Sequence, residues 1–187
     1  MANLCNNTLT FIGKNKDLVG IKKKAKNKEE LFDMKNFVPI PEDAKDYKSP
    51  QGEFYNGIGG WAIEHWGALN PYDVEIHPDI EERNNAINFI KDDNWLDQDG
   101  LLGYRFTTNW SPLVEGVIAI SSQYPDVHIT YYYSEQGNGI HCYKEFKAGL
   151  ETRHLNLPLD EYDEKTEEFD DHQEEIDNLI NSDKGYY

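Results

Sequence analysis

Alternating apolar positions and helix-spaced stripes divide the chain into strand and helix segments. Residues 7–13, NTLTFIG, are β-branched and aromatic and close on a glycine, as a first strand does. Asp17 then precedes Leu18, Ile21 and Ala25, which share one helical face, while Lys22, Lys23, Lys24, Lys26 and Lys28 occupy the other. Residues 32–60 are rich in Pro, Gly and charge and read as a long ordered connection, in which Pro39 and Pro41 keep FVPIP extended. WAIEHWG predicts a short helix stopped by Gly67. YDVEIH alternates as a strand before Pro78, and Ile80, Ile87, Phe89 and Ile90 then fall near helical spacing.

The second half is cleaner. LLGYRFTTNW predicts a strand. SPLVEGVIAISSQYP predicts a helix with Ser111 as N-cap and Pro112 at its first position. Its buried stripe is Leu113, Val114, Val117, Ile118, Ser121 and Tyr124. VHITYYYSE and GIHCYKEF are two strands joined around QGNG, a pairing that sets Ser134 opposite His141. Strand, helix and strands in this order predict an α+β, ferredoxin-like (split βαβ) domain over residues 1–149. Its sheet is antiparallel with helices on one face, and residues 78–100 form an insertion. Residues 150–187 predict an acidic tail. There Leu155, Leu157 and Leu159 suit an edge strand, and Phe169, Ile176, Leu179 and Ile180 suit a terminal helix.

Charge narrows the function classes. The 187 residues carry 18 basic and 35 acidic side chains, a net charge of −17. From Glu151 onward thirteen Asp/Glu face three Lys/Arg, so −10 of that charge lies in the tail. So acidic a chain repels nucleic-acid backbones and anionic lipid away from any local basic patch. The first residues, MANLCNNTLTF, have no basic and apolar leader pattern, and no apolar run approaches the roughly 20 residues of a membrane helix. Cys5 and Cys142 stand far apart in sequence and in no CxxC pair, so the choice lies between a disulfide joining them and reduced thiols in a cytoplasmic protein, with the second favoured.

Candidate chemistry gathers first at Glu64, His65 and Asp73. A Glu–His pair can do acid–base work, but adjacent helical residues diverge by about 100°, so Glu64 does not orient His65. His65 reads as a packing residue first. FTTNWSPL is explained by helix-start chemistry, with Ser111 held in its capping role. The six histidines include no HxH, HxxxH or HExxH spacing, so neither a metal nor another cofactor is predicted. Tyr131, Tyr133 and Tyr143 are candidate contact residues: alternate tyrosines must join the core, and the rest cover the open sheet face or meet a partner. No RNP-type basic-aromatic motif accompanies them. In the tail, Asp163, Glu167, Glu168, Asp170 and Asp171 are candidates for docking into a basic groove on another protein.

MANLCNNTLTFIG, FVPIP, WAIEHWGALNPYDVE and FTTNWSPLVEGVIAISSQYPDVHITYYYSEQG occur in that order across residues 1–146. In this arrangement the chain resembles the YubB-like family of phage- and plasmid-encoded proteins with a ferredoxin-like domain. The family pattern has Trp where Leu4 stands and Asn where His65 stands, and Asn109 and Leu113 alter its TAWSPP segment. The resemblance implies a mobile-element product of the bacterial cytoplasm and carries over no catalytic set. The expected function is non-enzymatic binding of a host or phage protein, including inhibition of a defence protein by acidic mimicry of nucleic acid. The alternatives are a single-stranded nucleic-acid-binding domain and a small hydrolase using His65. Oligomeric state is left open.

Overall fold

The first strand, β1 (Leu4–Lys14), is longer than the apolar run that announces it, and it lies at the centre of a six-stranded sheet. A computed structural model describes residues 3–81, 94–135, 137 and 139–156, and the backbone of 162–163 and 168–169. After β1 come α1 (Asn15–Ala25), α2 (Gly57–Trp66), β2 (Tyr72–Ile76), β3 (Asp99–Asn109), α3 (Val114–Gln123) and β4 (His128–Glu135). β5 (Ile140–Lys147) and β6 (Leu150–Asn156) complete the sheet in the order β2-β3-β1-β4-β5-β6, with every neighbouring pair antiparallel. β1 and β2 embrace β3, and β3 and β4 embrace β1. This is the split βαβ arrangement of a ferredoxin-like α+β fold, extended at one edge by the β5–β6 meander.

Alternation along the strands decides which face is covered. Cys5, Leu9 and Phe11 of β1, Leu102, Tyr104 and Phe106 of β3, and Ile129 and Tyr131 of β4 are buried beneath the helices. Leu18, Ile21 and Ala25 of α1 are all buried against this face, as their spacing predicts. The connection from α1 to α2 contributes as much. It runs through single 3₁₀ turns and inserts Phe32, Met34 and Phe37 into the core. Phe32 stacks on Phe106 with ring centroids 5.7 Å apart. Burying side chains of this size contributes about 1.5–3 kcal/mol each, so this connection works as a core element.

Two readings change. The helix after FTTNW begins at Val114 with Leu113 at its N-cap, not at Pro112 with Ser111 capping. The edge strand occupies residues 150–156, so Leu155 belongs to it while Leu157 and Leu159 lie outside the described residues. Residues 78–81 are helical, and the helical spacing predicted through Ile90 otherwise falls outside the described residues, as does the terminal helix. β7 (Tyr162–Asp163) pairs with β8 (Glu168–Phe169) as a separate two-stranded ladder.

Candidate interaction surface

α2 shows why GGWAIEHWG has its composition. A Cβ on Gly60 would stand 1.3 Å from the Tyr55 carbonyl oxygen, so only glycine lets the helix pass that backbone. Gly67 ends the helix at φ +92, in the left-handed region that disfavours side chains. Between them Trp61, Ala62 and Trp66 turn inward, and Trp66 Nε1 donates to the Val38 carbonyl at 3.1 Å. Glu64 and His65 are exposed. His65 packs on the outside of the core: its ring stacks on Trp61 at 4.3 Å and 10°, and its Nδ1 lies 2.8 Å from the Trp61 carbonyl oxygen. That contact requires a proton on Nδ1. Glu64 instead accepts a hydrogen bond from the Tyr47 hydroxyl, which pushes the Tyr47 pKa up to about 12. Each of the two residues is committed to its own neighbour.

Asp73 stands elsewhere, over the sheet face opposite the helices α1 and α3. There a concavity of about 260 Å³ is lined by Asn6, Thr8, Asp73, Glu75, Arg105 and Tyr132, among others, and neither Glu64 nor His65 reaches it. The Arg105 guanidinium lies 3.1 Å from His77 Nε2. Burial first, and Arg105 second, lower the His77 pKa. With Nε2 accepting from Arg105, the neutral ring carries its proton on Nδ1, which is buried and finds no hydrogen-bond partner among the described residues. The β2–β3 register shifts between Tyr72 and Glu75, and Asp73 takes φ +51 within that irregularity. The bulge aims both carboxylates over the concavity.

FTTNWSPL is organised by a buried polar network that sequence spacing did not reveal. The Tyr131 hydroxyl donates to Asn7 Oδ1 at 2.6 Å and accepts from the Leu113 amide at 2.7 Å. Asn7 Nδ2 donates to Thr108 Oγ1, which donates to the Ser111 carbonyl. Ser111 Oγ donates to the Gly67 carbonyl at 2.6 Å. Ser111 therefore ties α3 to the end of α2 instead of capping its own helix. Tyr131 satisfies the amide left free at the helix start. A polar Asn at the second of the inward β1 positions was the available signal.

The same geometry removes Tyr131 and Tyr133 from any contact surface. They are 0% and 5% exposed on the helix-covered face, and burial raises both pKa values. Tyr143 turns to the other face but is only 5% exposed, packed with Tyr132 and Leu155. Its hydroxyl donates to Glu145, and Arg153 lies over its ring at 5.8 Å. All three are structural in their described surroundings. Of the acidic candidates, Asp163 and Glu168 pair with each other in the β7–β8 ladder; Glu167, Asp170 and Asp171 lie outside the described residues.

Among the described residues no group of three or more His, Cys, Asp or Glu converges to hold a metal ion. No described helix is long and apolar enough to cross a membrane. Cys5 and Cys142 are both free and buried, and burial pushes the Cys5 thiol up to about 12.

Residues 91–178 match a family model described as the ferredoxin-like domain in Api92-like protein. Among solved structures, a protein api92 from Yersinia pseudotuberculosis is similar at a TM-score of 0.44 and 14% identity. That similarity covers 70% of this chain and 41% of the other, so this chain spans about two fifths of that protein's length. No curated protein matches the chain.

Proposed function

We propose that the protein acts without catalysis, as an acidic interaction protein of a phage or plasmid in the bacterial cytoplasm. It occupies the nucleic-acid groove of a host defence protein. The observation that carries this reading is the charge: −17 overall, with thirteen acidic against three basic residues from Glu151 onward. Such a concentration of carboxylates carries charge of the same sign as a nucleic-acid backbone. It steers association with a basic groove over distances comparable to the Debye length, about 8 Å at physiological salt. The ordered motifs MANLCNNTLTFIG, WAIEHWGALNPYDVE and FTTNWSPL support the mobile-element origin through their YubB-like pattern.

The test is affinity capture from bacterial lysate with the full chain and with a chain ended after Asn156, which keeps β6 in the sheet. The reading expects a basic protein that the full chain retains, the shortened chain loses, and duplex DNA or raised salt displaces. Capture that survives the truncation and ignores DNA refutes it.

A second reading has one observation in its favour. Arg105 and Tyr132 line the same concavity, where a cation and an aromatic ring together suit a single-stranded nucleotide. Low-salt titration of the chain with single-stranded DNA and RNA separates the two.

A further inference from the structure

Three non-glycine residues among those described adopt positive φ: Asp73 at 51°, Trp110 at 70° and Ala148 at 51°. Ala148 sits with Gly149 in the tight turn between β5 and β6, where such backbone is ordinary. The other two flank a single hydrogen bond, Tyr72 Oη to Asn109 Oδ1 at 2.9 Å, which joins β2 to the end of β3. A bulky side chain in the left-handed region is an outlier. At Trp110 it is enforced from both sides, by the Trp110 amide donating to the Asn3 carbonyl at 2.9 Å and by the Thr108–Ser111 and Ser111–Gly67 bonds.

That backbone presents the Trp110 side chain 54% exposed, beside Leu4, which pairs with Asn109 across the strands and is also 54% exposed. Folding gains little from either side chain: glycine at 110 would relieve the strain, and a polar residue would reduce exposed apolar surface. Asp73 follows Tyr72 at this corner, and Glu75 stands farther along β2, opposite Arg105; both carboxylates are exposed, and neither forms an ion pair with a described residue. Strained backbone and an exposed tryptophan coincide at this end of the sheet, with Asp73 beside them and Glu75 next along the same strand.

We propose that this corner, formed by Leu4, Tyr72, Asp73, Glu75 and Trp110, docks a cationic protein segment. An apolar side chain of the partner packs on Trp110 and Leu4, and flanking lysines or arginines meet Asp73 and Glu75. The proposal rests on the interaction function above and places part of that function on the folded domain. A second copy of the chain is a poor occupant, because each copy brings a net charge of −17.

The experiment is an amide and indole NMR titration of the full chain with short glycine–serine peptides carrying a Lys-Phe-Arg, Glu-Phe-Glu or Lys-Gly-Arg core. With Lys-Phe-Arg the Trp110 indole and the amides of Leu4, Tyr72 and Asp73 shift. The other two peptides, and Trp110→Gly with the first, bind at least about tenfold more weakly. Asp73→Asn combined with Glu75→Gln weakens binding and flattens its salt dependence. Trp110→Gly does not lower the thermal unfolding midpoint, so its lost binding is not lost folding. An unshifted corner at millimolar Lys-Phe-Arg, or binding undiminished in Trp110→Gly, overturns the proposal. If the corner is silent while truncation after Asn156 still abolishes capture of a basic protein, the interaction function stands and this site falls. If both fail, both fall.

Discussion

Tyr131→Phe removes one oxygen atom from the centre of the molecule, and the structure says what that oxygen does. It donates to Asn7 Oδ1 and accepts from the Leu113 amide, both within 2.7 Å, and Asn7, Leu113 and Tyr131 are at most 3% exposed. Phenylalanine keeps the ring packing but leaves the buried Leu113 amide without its hydroxyl partner and Asn7 Oδ1 with only the long Cys5 Sγ contact at 3.8 Å. An orphaned buried amide costs about 1–3 kcal/mol, so the variant is expected to lose about that much. That is a large share of the roughly 5–15 kcal/mol that stabilises a typical domain. The control is Tyr104→Phe. The Tyr104 hydroxyl is buried and finds no hydrogen-bond partner among the described residues, so removing it is neutral or stabilises by up to about 1 kcal/mol. Urea unfolding at neutral pH, followed by tryptophan fluorescence, measures both. A Tyr131→Phe loss below about 0.5 kcal/mol, or a Tyr104→Phe loss above about 1 kcal/mol, would refute the network as the organiser of the α3 start.

Other expectations follow from single contacts. Gly67→Ala combines left-handed backbone with a Cβ 2.6 Å from the Pro112 carbonyl oxygen, and is expected to cost about 2 kcal/mol or more in the same urea assay. His77 has a pKa lowered in the folded protein by burial and Arg105, so the unfolded chain binds the proton more readily. Its contribution to stability is complete above the unfolded value of about 6.5 and is lost as pH falls through the folded value. Thermal midpoints read across pH 5–8 should fall less steeply on the acid side in His77→Gln than in the parent. Cys5 and Cys142 are buried, so both thiols should resist an aqueous disulfide reagent in the native protein and react once urea unfolds it.

The strands were legible because a strand that buries one face writes it into every second residue. In β4, Ile129, Tyr131 and Tyr133 alternate with polar or half-exposed neighbours, and the predicted Ser134–His141 pairing is the observed one. α1 was legible for the corresponding helical reason. The start of α3 was not. Ser111 and Pro112 carry strong local signals, but the Ser111 hydroxyl is taken by Gly67, forty-four residues away in sequence, and Tyr131 caps the helix from β4. Long-range partners of this kind leave no local pattern. Phe32, Met34 and Phe37 were hidden because a core segment built of single turns has no period to detect. The same limit affected the candidate site. Helical geometry separated Glu64 from His65, and the structure gives each its own partner. The exposure of Trp110 depends instead on a backbone angle that no spacing rule anticipates.

The proposed function requires the chain to bind a protein rather than nucleic acid. Fluorescence anisotropy of labelled single-stranded and duplex oligonucleotides tests that directly, first with the chain alone at low salt and then with a basic protein captured from lysate. With the chain alone no rise is expected, and adding the chain releases the oligonucleotide from the captured protein. Anisotropy that rises with the chain alone, and falls again with salt, would contradict the proposed function.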